Sequence, residues 1–496
     1  MDGKNYIAGR WVEAVGGARF ESRNPARFGQ VLGTVALSNR EDAEQAVVAA
    51  KTAFAGWRAL SRIKRGEYLD RFIDAIKVQV DEITSFVASE AGKAYNEAKA
   101  DVVEGIHMAQ YMFGHARLPS GQALPSELAE KDAYMFRKPK GVVTVISPWN
   151  FPFAIPIWLI TPALLEGNTV VFKPSGNTPL VGEKIVECFE RAELPPGVLN
   201  LVQGTGGDAG WPLVTHPDVE VVLFTGSYEV GSRIKEACVK DYRKMYACEM
   251  GGKNAMIVCQ DADLDLAVRA AILSAFKTTG QRCTSASRLI IHESRMEEFA
   301  KAFVAMARRI VIGDPLDPQV FMGPLINEAA TKKVGSYNLL AKQEGAEVLL
   351  DGGRLEEGAY RDGYFFSPFI YHMAHRKDAR VLHEEVFGPH VALIPFQTLD
   401  EAVAIHNGVE YGLACSVITE DYRIARRLRE ECEFGVGYWN LPTIGAEVHL
   451  PFGGLKKSGT GVPASWPLLD LVTHKVAWTV NHGREIRMAQ GLSTEV

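Results

Sequence analysis

Short, continuous apolar runs alternate with helical stretches in the second quarter of the chain, and this pattern restricts the fold more than any other feature. The runs GVVTVISP, NTVVFKPS and EVVLFTGS are rich in β-branched residues, and each ends in proline or small polar residues. Such runs are typical of strands buried on both faces, and strands separated by helices pair in parallel. The sequence therefore predicts an α/β fold in which helices cover both faces of a parallel sheet.

A second series of the same kind begins after Gly251, with NAMIVCQ as a strand, LDLAVRAAILSAFKTTG as a helix and SRLIIHE as a further strand. The 496 residues are about three times a typical domain of ~150 residues, so two or more hydrophobic cores are expected. We place a domain boundary near Gly251 and Gly252. The segments EKDAYMFRKPKG and LVTHKVAWTVN alternate apolar and polar residues, which predicts exposed strands that pair between subunits.

The composition argues against several classes of function. A formal net charge of −6 provides no basic excess for nucleic acid or anionic lipid. The chain shows no 18-residue apolar span and no basic segment followed by an apolar core at its start, so we predict a cytoplasmic protein without a membrane segment. Its seven cysteines form no CxxC pair and no Cys/His ligand spacing, so we predict neither a disulfide framework nor a metal site.

One cysteine lies in an unusual setting. Cys283, in GQRCTSAS, follows a helical run and is surrounded by glycine, small and hydroxylated residues. A thiol that only fills a core would have bulky apolar neighbours, whereas small neighbours leave space around the sulfur. The pattern favours a nucleophile over a packing thiol.

Three further motifs could carry chemistry, and each has a structural alternative. Asn150 in SPWNFPFAIPIW either stabilises a turn or holds a developing negative charge. Glu249 in EMGGKN is either a general base or a member of a surface ion pair. Gly226 and Ser227 in LFTGSYEVGSRI either present a helix N-terminus to a phosphate or form a capped turn. The spacing of GTGGDAG departs from the dinucleotide fingerprint, so that motif carries less weight.

Seven motifs together resemble those of the aldehyde dehydrogenase superfamily in order and spacing: PWNFPF, VVFKPS, FTGS, EMGGKN, GQRC, EEVFGP and PFGGLKKSG. The resemblance extends from about Tyr6 to Trp478. It implies a Rossmann-type nicotinamide-cofactor domain (residues 1–120 and 141–250, with part of 452–472) and an α/β catalytic domain (251–451). It also implies a small β oligomerisation element (121–140 and 473–496), so a homodimer or homotetramer is expected.

The resemblance implies roles for individual residues. Cys283 is expected to be the nucleophile, Glu249 the general base, and Asn150 the oxyanion donor together with the backbone N–H of Cys283. The residues implied to bind the cofactor are Trp149, Lys173, Ser175, Gly226, Ser227, Glu385 and Phe387. The implied reaction oxidises an aldehyde to a carboxylate with hydride transfer to NAD(P), through a cysteine thiohemiacetal and a thioester. The presence of Glu249 argues against relatives that pass the acyl group to coenzyme A, which generally lack this base.

The sequence departs from the family pattern at a position that bears on the cofactor. Many NAD-preferring relatives have a glutamate three residues after the motif lysine, and this chain has Gly176 there. Absence of the carboxylate removes repulsion against a 2′-phosphate, which Lys173 and Ser175 could contact. We therefore expect NADP to be preferred and NAD to be tolerated.

The predicted substrate rests on the loop NLPTIGAEVHLPFGG, which resembles the loop of semialdehyde dehydrogenases whose backbone amides hold a substrate carboxylate. The expected contacts are the amides of Gly445 and Ala446, the hydroxyl of Thr284 and the charge of Arg282. These indicate the ω-semialdehyde of a carboxylic acid, such as an α-ketoglutaric or amino-acid-derived semialdehyde. An equally weighted alternative is a medium-chain or aromatic aldehyde, with Phe153 and Trp158 as an apolar wall.

Overall fold

The computed structural model describes residues 2–488 together with Gln490 and Gly491. The strands are β1 (Asp2–Gly3), β2 (Asn5–Ile7), β3 (Arg10–Val12), β4 (Arg19–Asn24), β5 (Arg27–Ala36), β6 (Gln122–Leu124), β7 (Lys131–Pro139), β8 (Val142–Ile146), β9 (Thr169–Lys173), β10 (Leu199–Leu201), β11 (Val219–Thr225), β12 (Met245–Glu249), β13 (Asn254–Val258), β14 (Ala286–His292), β15 (Glu347–Leu350), β16 (Phe369–His372), β17 (His390–Phe396), β18 (Tyr411–Gly412), β19 (Ala414–Ile418), β20 (Val436–Trp439), β21 (Leu455–Lys456) and β22 (Thr473–Asn481).

The helices are α1 (Arg40–Ala59), α2 (Arg62–Lys77), α3 (Val80–Ala91), α4 (Tyr95–His115), α5 (Ala154–Leu165), α6 (Pro179–Arg191), α7 (Trp211–Thr215), α8 (Tyr228–Cys238), α9 (Leu264–Phe276), α10 (Glu293–Ala307), α11 (Glu328–Gln343), α12 (Arg380–His383), α13 (Leu399–Asn407), α14 (Tyr422–Glu431) and α15 (Leu468–Leu471). None of the helices within the described residues is both long and apolar enough to cross a membrane.

The first large sheet has the strand order β12-β11-β8-β9-β10-β2-β3. The strands from β8 to β12 pair in parallel, as the sequence predicts, while β2 and β3 add an antiparallel edge. Alternate residues face opposite sides, because side chains point to both faces of a strand in turn. Val143 and Val145 lie in a core with helices α2 to α6, whereas Val142 and Val222 face α1, α7 and α8.

The second large sheet has the order β15-β16-β17-β14-β13-β19-β20 and is parallel except for β15. It too is covered on both faces: Met256 and Leu289 pack with α9 and α10, and Ile257 and Ile290 pack in the core formed with α11 to α14. The chain passes from the first large sheet to the second between Glu249 and Asn254. The parallel pairing and the cores on both faces of each sheet confirm the predicted α/β class.

A third, three-stranded sheet has the order β22-β7-β6. Strands β22 and β7 pair in antiparallel fashion from Thr473 opposite Pro139 to Asn481 opposite Lys131. β22 is largely exposed and β7 is partly exposed, in keeping with their alternating pattern, and Trp478 keeps 59% of its surface accessible. Of the predicted oligomerisation element, Ala489 and residues 492–496 lie outside the described residues. Two small sheets, β1-β5-β4 and β18-β21, have no counterpart in the sequence-based prediction.

Candidate active site

A cavity of about 270 Å³ lies at the carboxyl ends of strands in the first large sheet. Its other wall is formed by segments that precede β14 and β17 of the second large sheet. Ligands of open α/β sheets bind at such strand ends. The cavity brings together seven residues singled out from the sequence: Trp149, Asn150, Gly226, Ser227, Cys283, Glu385 and Phe387. These residues come from distant parts of the chain, so the fold alone makes them one site.

An irregular turn delivers Cys283 to this cavity. Helix α9 ends at Phe276 rather than continuing through the predicted KTTG, because Thr278 (φ 53°) and Thr279 (φ 57°) take left-handed backbone conformations. Such conformations cost on the order of 1–2 kcal/mol per non-glycine residue. Gly280 (φ 69°) continues the turn, and a Cβ there would lie 2.3 Å from the carbonyl oxygen of Gly388.

Buried hydrogen bonds hold this turn in its strained form. Glu97 on α4 accepts hydrogen bonds from the backbone N–H and the hydroxyl of Thr278, both at 2.9 Å. The hydroxyl of Thr279 donates to the carbonyl oxygen of Gly323 at 2.9 Å. Sequence reasoning missed Glu97, since nothing in a helical segment far from Cys283 indicates that its carboxylate lies beneath the turn.

The half-buried Cys283 thiol is protonated in the absence of a compensating cation. Burial, followed by the negative charges of Glu385 and Glu249, raises its pKa to about 12. The charge of Arg282 and the backbone N–H of Thr284 act in the opposite direction. A nucleophilic thiolate at this position therefore requires added positive charge in the cavity or a base that removes its proton.

Asn150 lies in the turn after β8 and is buried. Its Nδ2 donates to the carbonyl oxygen of Gln281 at 3.0 Å, which ties the turn to the segment carrying Cys283. The neighbouring Trp149 meets the ring of Phe387 edge-on, with 5.6 Å between centroids. The amide thus lines the same cavity as the thiol, and it also stabilises the turn.

Glu249, the last residue of β12, is buried and is not a surface ion-pair member. Its Oε2 accepts a hydrogen bond from the backbone N–H of Gly454 at 3.2 Å, while Oε1 is buried and has no hydrogen-bond partner among the described residues. Burial raises its pKa well above the ordinary value. A carboxylate with one free oxygen and a raised pKa suits a general base.

The cofactor candidates form two groups. Ser227 accepts a hydrogen bond from the N–H of Val230 and caps α8, so the helix N-terminus opens into the cavity. The N–H of Gly226 is already used, because it donates to the carbonyl oxygen of Glu249 at 3.0 Å. Glu385 accepts from the N–H of Gly252 at 2.8 Å and closes the other side. A helix N-terminus beside glycine fits a pyrophosphate group.

The second group lies at the end of β9. Lys173 is buried, donates to the carbonyl oxygen of Pro174 at 2.6 Å and has no carboxylate partner among the described residues. Burial lowers its pKa to about 8. Ser175 is half-buried and accepts from the N–H of Asn177, and Gly176 is exposed. An added Cβ at Gly176 would meet only the carbonyl oxygen of Gly204 among the described residues, at 3.8 Å, so the space beside this position is open.

The comparisons with known proteins agree on the family. The sequence pattern described as "Aldehyde dehydrogenase family" matches residues 11–474. The chain belongs to the aldehyde dehydrogenase family. This finding confirms the predicted family, its fold and its NAD(P)-dependent oxidation of aldehydes.

Several relatives of this aldehyde dehydrogenase are similar along nearly their whole length. The α-ketoglutaric semialdehyde dehydrogenase of Bacillus subtilis (strain 168) is 41% identical, over 92% of this chain and 93% of the relative. A 1-pyrroline-5-carboxylate dehydrogenase of the same organism is 38% identical, over 97% and 93%. Among solved structures, betaine aldehyde dehydrogenase of Staphylococcus aureus in complex with NAD⁺ matches with a TM-score of 0.93 at 32% identity, over 97% of this chain and 95% of the other. PnpE from Pseudomonas sp. WBC-3 matches with a TM-score of 0.94 at 35% identity, over 99% of each chain.

In this aldehyde dehydrogenase, the loop predicted to bind a substrate carboxylate contacts the segment that contains Cys283. The hydroxyl of Thr443 donates to the carbonyl oxygen of Thr284 at 2.7 Å, and its N–H donates to Ser274 at 2.9 Å. Gly445 follows with open space around it, and Ala446 is half-buried. The loop's backbone at these two residues is therefore held near Cys283 and is not packed into a core.

Tyr438 is a polar residue near this loop that sequence reasoning missed. Its hydroxyl is buried and has no hydrogen-bond partner among the described residues. Burial, then the charges of Cys283 and Glu104, raises the pKa of this phenol to about 12. The hydroxyl is therefore neutral. A tyrosine on a half-buried strand carries no sequence signal of its own.

Two predicted substrate contacts have other partners. The guanidinium of Arg282 forms an ion pair with Glu97 at 2.6 Å, donates to the hydroxyl of Thr278 and lies 5.0 Å from the ring centroid of Phe151. Trp158 is buried and donates through Nε1 to Glu104 at 3.0 Å.

The position of Phe153 contradicts the prediction that this residue forms part of an apolar wall of the substrate site. Its side chain has no accessible surface and packs in the core against Gly105 of α4, where an added Cβ would lie 2.9 Å from the Phe153 ring. Ile155 lines the cavity instead.

Proposed function

We propose that this aldehyde dehydrogenase oxidises a carboxylate-bearing semialdehyde. The observation that carries this proposal is the position of the loop at Gly445 and Ala446. The hydroxyl of Thr443 binds this loop to the residue after Cys283, and the loop's backbone is not packed into a core. Free backbone N–H groups in such a loop can bind a carboxylate at a fixed distance from the reacting carbon. The relatives named for α-ketoglutaric semialdehyde and 1-pyrroline-5-carboxylate support the same substrate class.

We assign each chemical step of the reaction to particular residues of the chain. The Cys283 thiol releases its proton to water and adds as the thiolate to the aldehyde carbon, and the resulting oxyanion is held by the Asn150 amide and the Cys283 N–H. A nicotinamide cofactor, when bound, accepts the hydride. The remaining thioester is hydrolysed by water that gives a proton to Glu249, whose unpartnered Oε1 is the free acceptor.

Substrate choice tests the proposal directly. We expect kcat/KM for an ω-semialdehyde to exceed that for its methyl ester by roughly 10–100-fold, because a hydrogen bond to a charged group contributes about 1.5–3 kcal/mol. The measurement is reduced-nicotinamide absorbance across a panel of semialdehydes, their esters, and aliphatic and aromatic aldehydes. Equal values for acid and ester, or a preference for aromatic aldehydes, would replace the proposal with the medium-chain or aromatic alternative.

Asn150→Ala tests the oxyanion role. We expect kcat to fall ~10²–10³-fold with cofactor affinity unchanged, since removing one oxyanion donor costs that much. Asn96→Ala is the matched control, because Asn96 lies exposed on α4 and its amide donates to the carbonyl oxygen of Pro318. Wild-type kcat in the Asn150 variant would leave this residue with the turn-stabilising role alone.

We further propose that NADP is preferred and that NAD is tolerated. The exposed, open position of Gly176 and the unpaired Lys173 leave room and charge for a 2′-phosphate. The solved relatives with bound NAD⁺ support binding of this cofactor class without deciding between its members.

Gly176→Glu should reverse this preference. We expect kcat/KM for NADP to fall at least ~10-fold while that for NAD holds or rises, because a new carboxylate repels a 2′-phosphate and accepts hydrogen bonds from ribose hydroxyls. Gly56→Glu adds the same charge to the exposed face of α1, where an added Cβ would meet nothing within 4 Å, and is the control. An unchanged ratio of the two kcat/KM values, or wild-type preference for NAD above tenfold, would contradict the assignment.

The exposed three-stranded sheet suggests how copies of the chain associate. Within the described residues, β22 forms one edge of this sheet, and its outward side chains include the largely exposed Trp478. An unpaired, exposed strand edge favours pairing with another chain. We infer a homodimer or homotetramer that uses this sheet.

A further inference from the structure

A buried cluster of soft metal ligands lies within the second large sheet and its covering helices, away from the active-site cavity. One ring nitrogen of His406 and the Sγ atoms of Cys415 and Cys432 all lie within 4.8 Å of one another. His406 is on α13, Cys415 is on β19, and Cys432 directly follows α14. Because three separate elements contribute one ligand each, the sequence shows no ligand spacing.

One ring nitrogen of His406 lacks a hydrogen-bond partner within the part of the chain that the structure describes. Its Nε2 lies 3.2 Å from the carbonyl oxygen of Glu433, which accounts for a proton at Nε2. Its Nδ1 is buried and has no hydrogen-bond partner among the described residues. With its one proton at Nε2, the ring carries a lone pair at the buried Nδ1. Neutral imidazole is the form that binds metal ions.

The charge around the cluster supplies a second, independent observation. Arg288 is fully buried, and its guanidinium donates only to the backbone carbonyls of Lys253, Ile405 and His406. No carboxylate pairs with it among the described residues, although buried charges are normally paired. The guanidinium lies beside the cluster, because it donates to the backbone of His406 itself and of the preceding Ile405.

We propose that His406, Cys415 and Cys432 bind a monovalent thiophilic cation, of which Cu⁺ is the representative. Thiolate and imidazole ligands suit this ion, and each thiol releases a proton to solvent when it binds. Two thiolates, one monovalent cation and the guanidinium of Arg288 sum to zero charge, whereas a divalent ion would leave a net positive charge in the core. Structural zinc sites almost always have four ligands, and the cluster provides three among the described residues.

The test uses the full-length Cys283→Ala protein, so that the reactive cavity thiol does not bind the ion. Anaerobic titration with Cu⁺ buffered by the chromophoric chelator bicinchoninate should show one Cu⁺ per chain. Cys415→Ser in the same background should lose that site. Cys259→Ala should retain it, because Cys259 is a buried cysteine of the same sheet region that lies outside the cluster.

X-ray absorption spectroscopy of the Cu⁺-loaded Cys283→Ala protein is a test that needs no further substitution. We expect two sulfur ligands and one imidazole nitrogen. Circular dichroism establishes that Cys415→Ser is folded before its binding is compared. No Cu⁺ taken from the chelator, retention of the site in folded Cys415→Ser, or a spectrum lacking either sulfur or imidazole would each overturn the proposal.

Discussion

Cys283→Ala is expected to abolish aldehyde oxidation, with kcat falling by ~10⁴-fold or more, as when other enzymes lose a covalent nucleophile. Cofactor affinity should stay within about twofold of the wild type, because the groups at the start of α8 and at the end of β9 are untouched. Steady-state kinetics measure the first effect, and fluorescence titration with NAD and NADP measures the second.

Cys238→Ala is the matched control for this variant. Cys238 is a buried cysteine at the end of α8 that packs behind the first large sheet. The control should keep wild-type turnover after any loss of stability is allowed for. Oxidation by the Cys283 variant at the wild-type rate would remove the covalent mechanism.

Glu249→Gln should separate the two halves of the reaction. We expect the burst of reduced nicotinamide to persist while steady-state turnover falls ~10²–10⁴-fold, because the amide keeps the side chain's shape and cannot accept a proton from water. Rapid-mixing absorbance distinguishes the burst from the slow phase. Loss of the burst itself would show that Glu249 acts before the thioester forms.

The raised pKa of Glu249 also predicts a pH dependence. Burial disfavours the carboxylate, so the group is protonated below its raised pKa and cannot act as a base. Thioester hydrolysis should therefore slow as pH falls through that pKa and recover as pH rises. The slow phase of Glu249→Gln should lack this dependence, and an unchanged pH profile in the variant would assign the titration to another group.

The sequence predicted what depends on local pattern. β-branched runs ending in small residues specified the buried parallel strands, and alternating polarity specified the exposed pair β7 and β22. Left-handed conformations at two threonines, which end α9 early, could not be predicted, because threonine disfavours them and distant groups hold them in place: a carboxylate 181 positions before Thr278, and the carbonyl oxygen of Gly323 for Thr279.

Tertiary packing decided the remainder of the candidate site. Phe153 lies one turn from cavity residues in a motif rich in aromatic rings, and only its distance from Gly105 of α4 shows that it faces the core. Likewise, the ligand cluster of His406, Cys415 and Cys432 depends on how α13, β19 and α14 are arranged. Side chains brought together by such long-range packing leave no periodic or motif-level signal in one sequence.

The most direct test of the covalent mechanism is mass spectrometry of Glu249→Gln enzyme quenched during turnover of a semialdehyde with NADP. Slow hydrolysis in this variant should let the acyl group accumulate, and peptide mapping should place it on Cys283 at close to one per active site. An adduct on any other side chain, or no adduct while the burst of reduced nicotinamide is present, would contradict it.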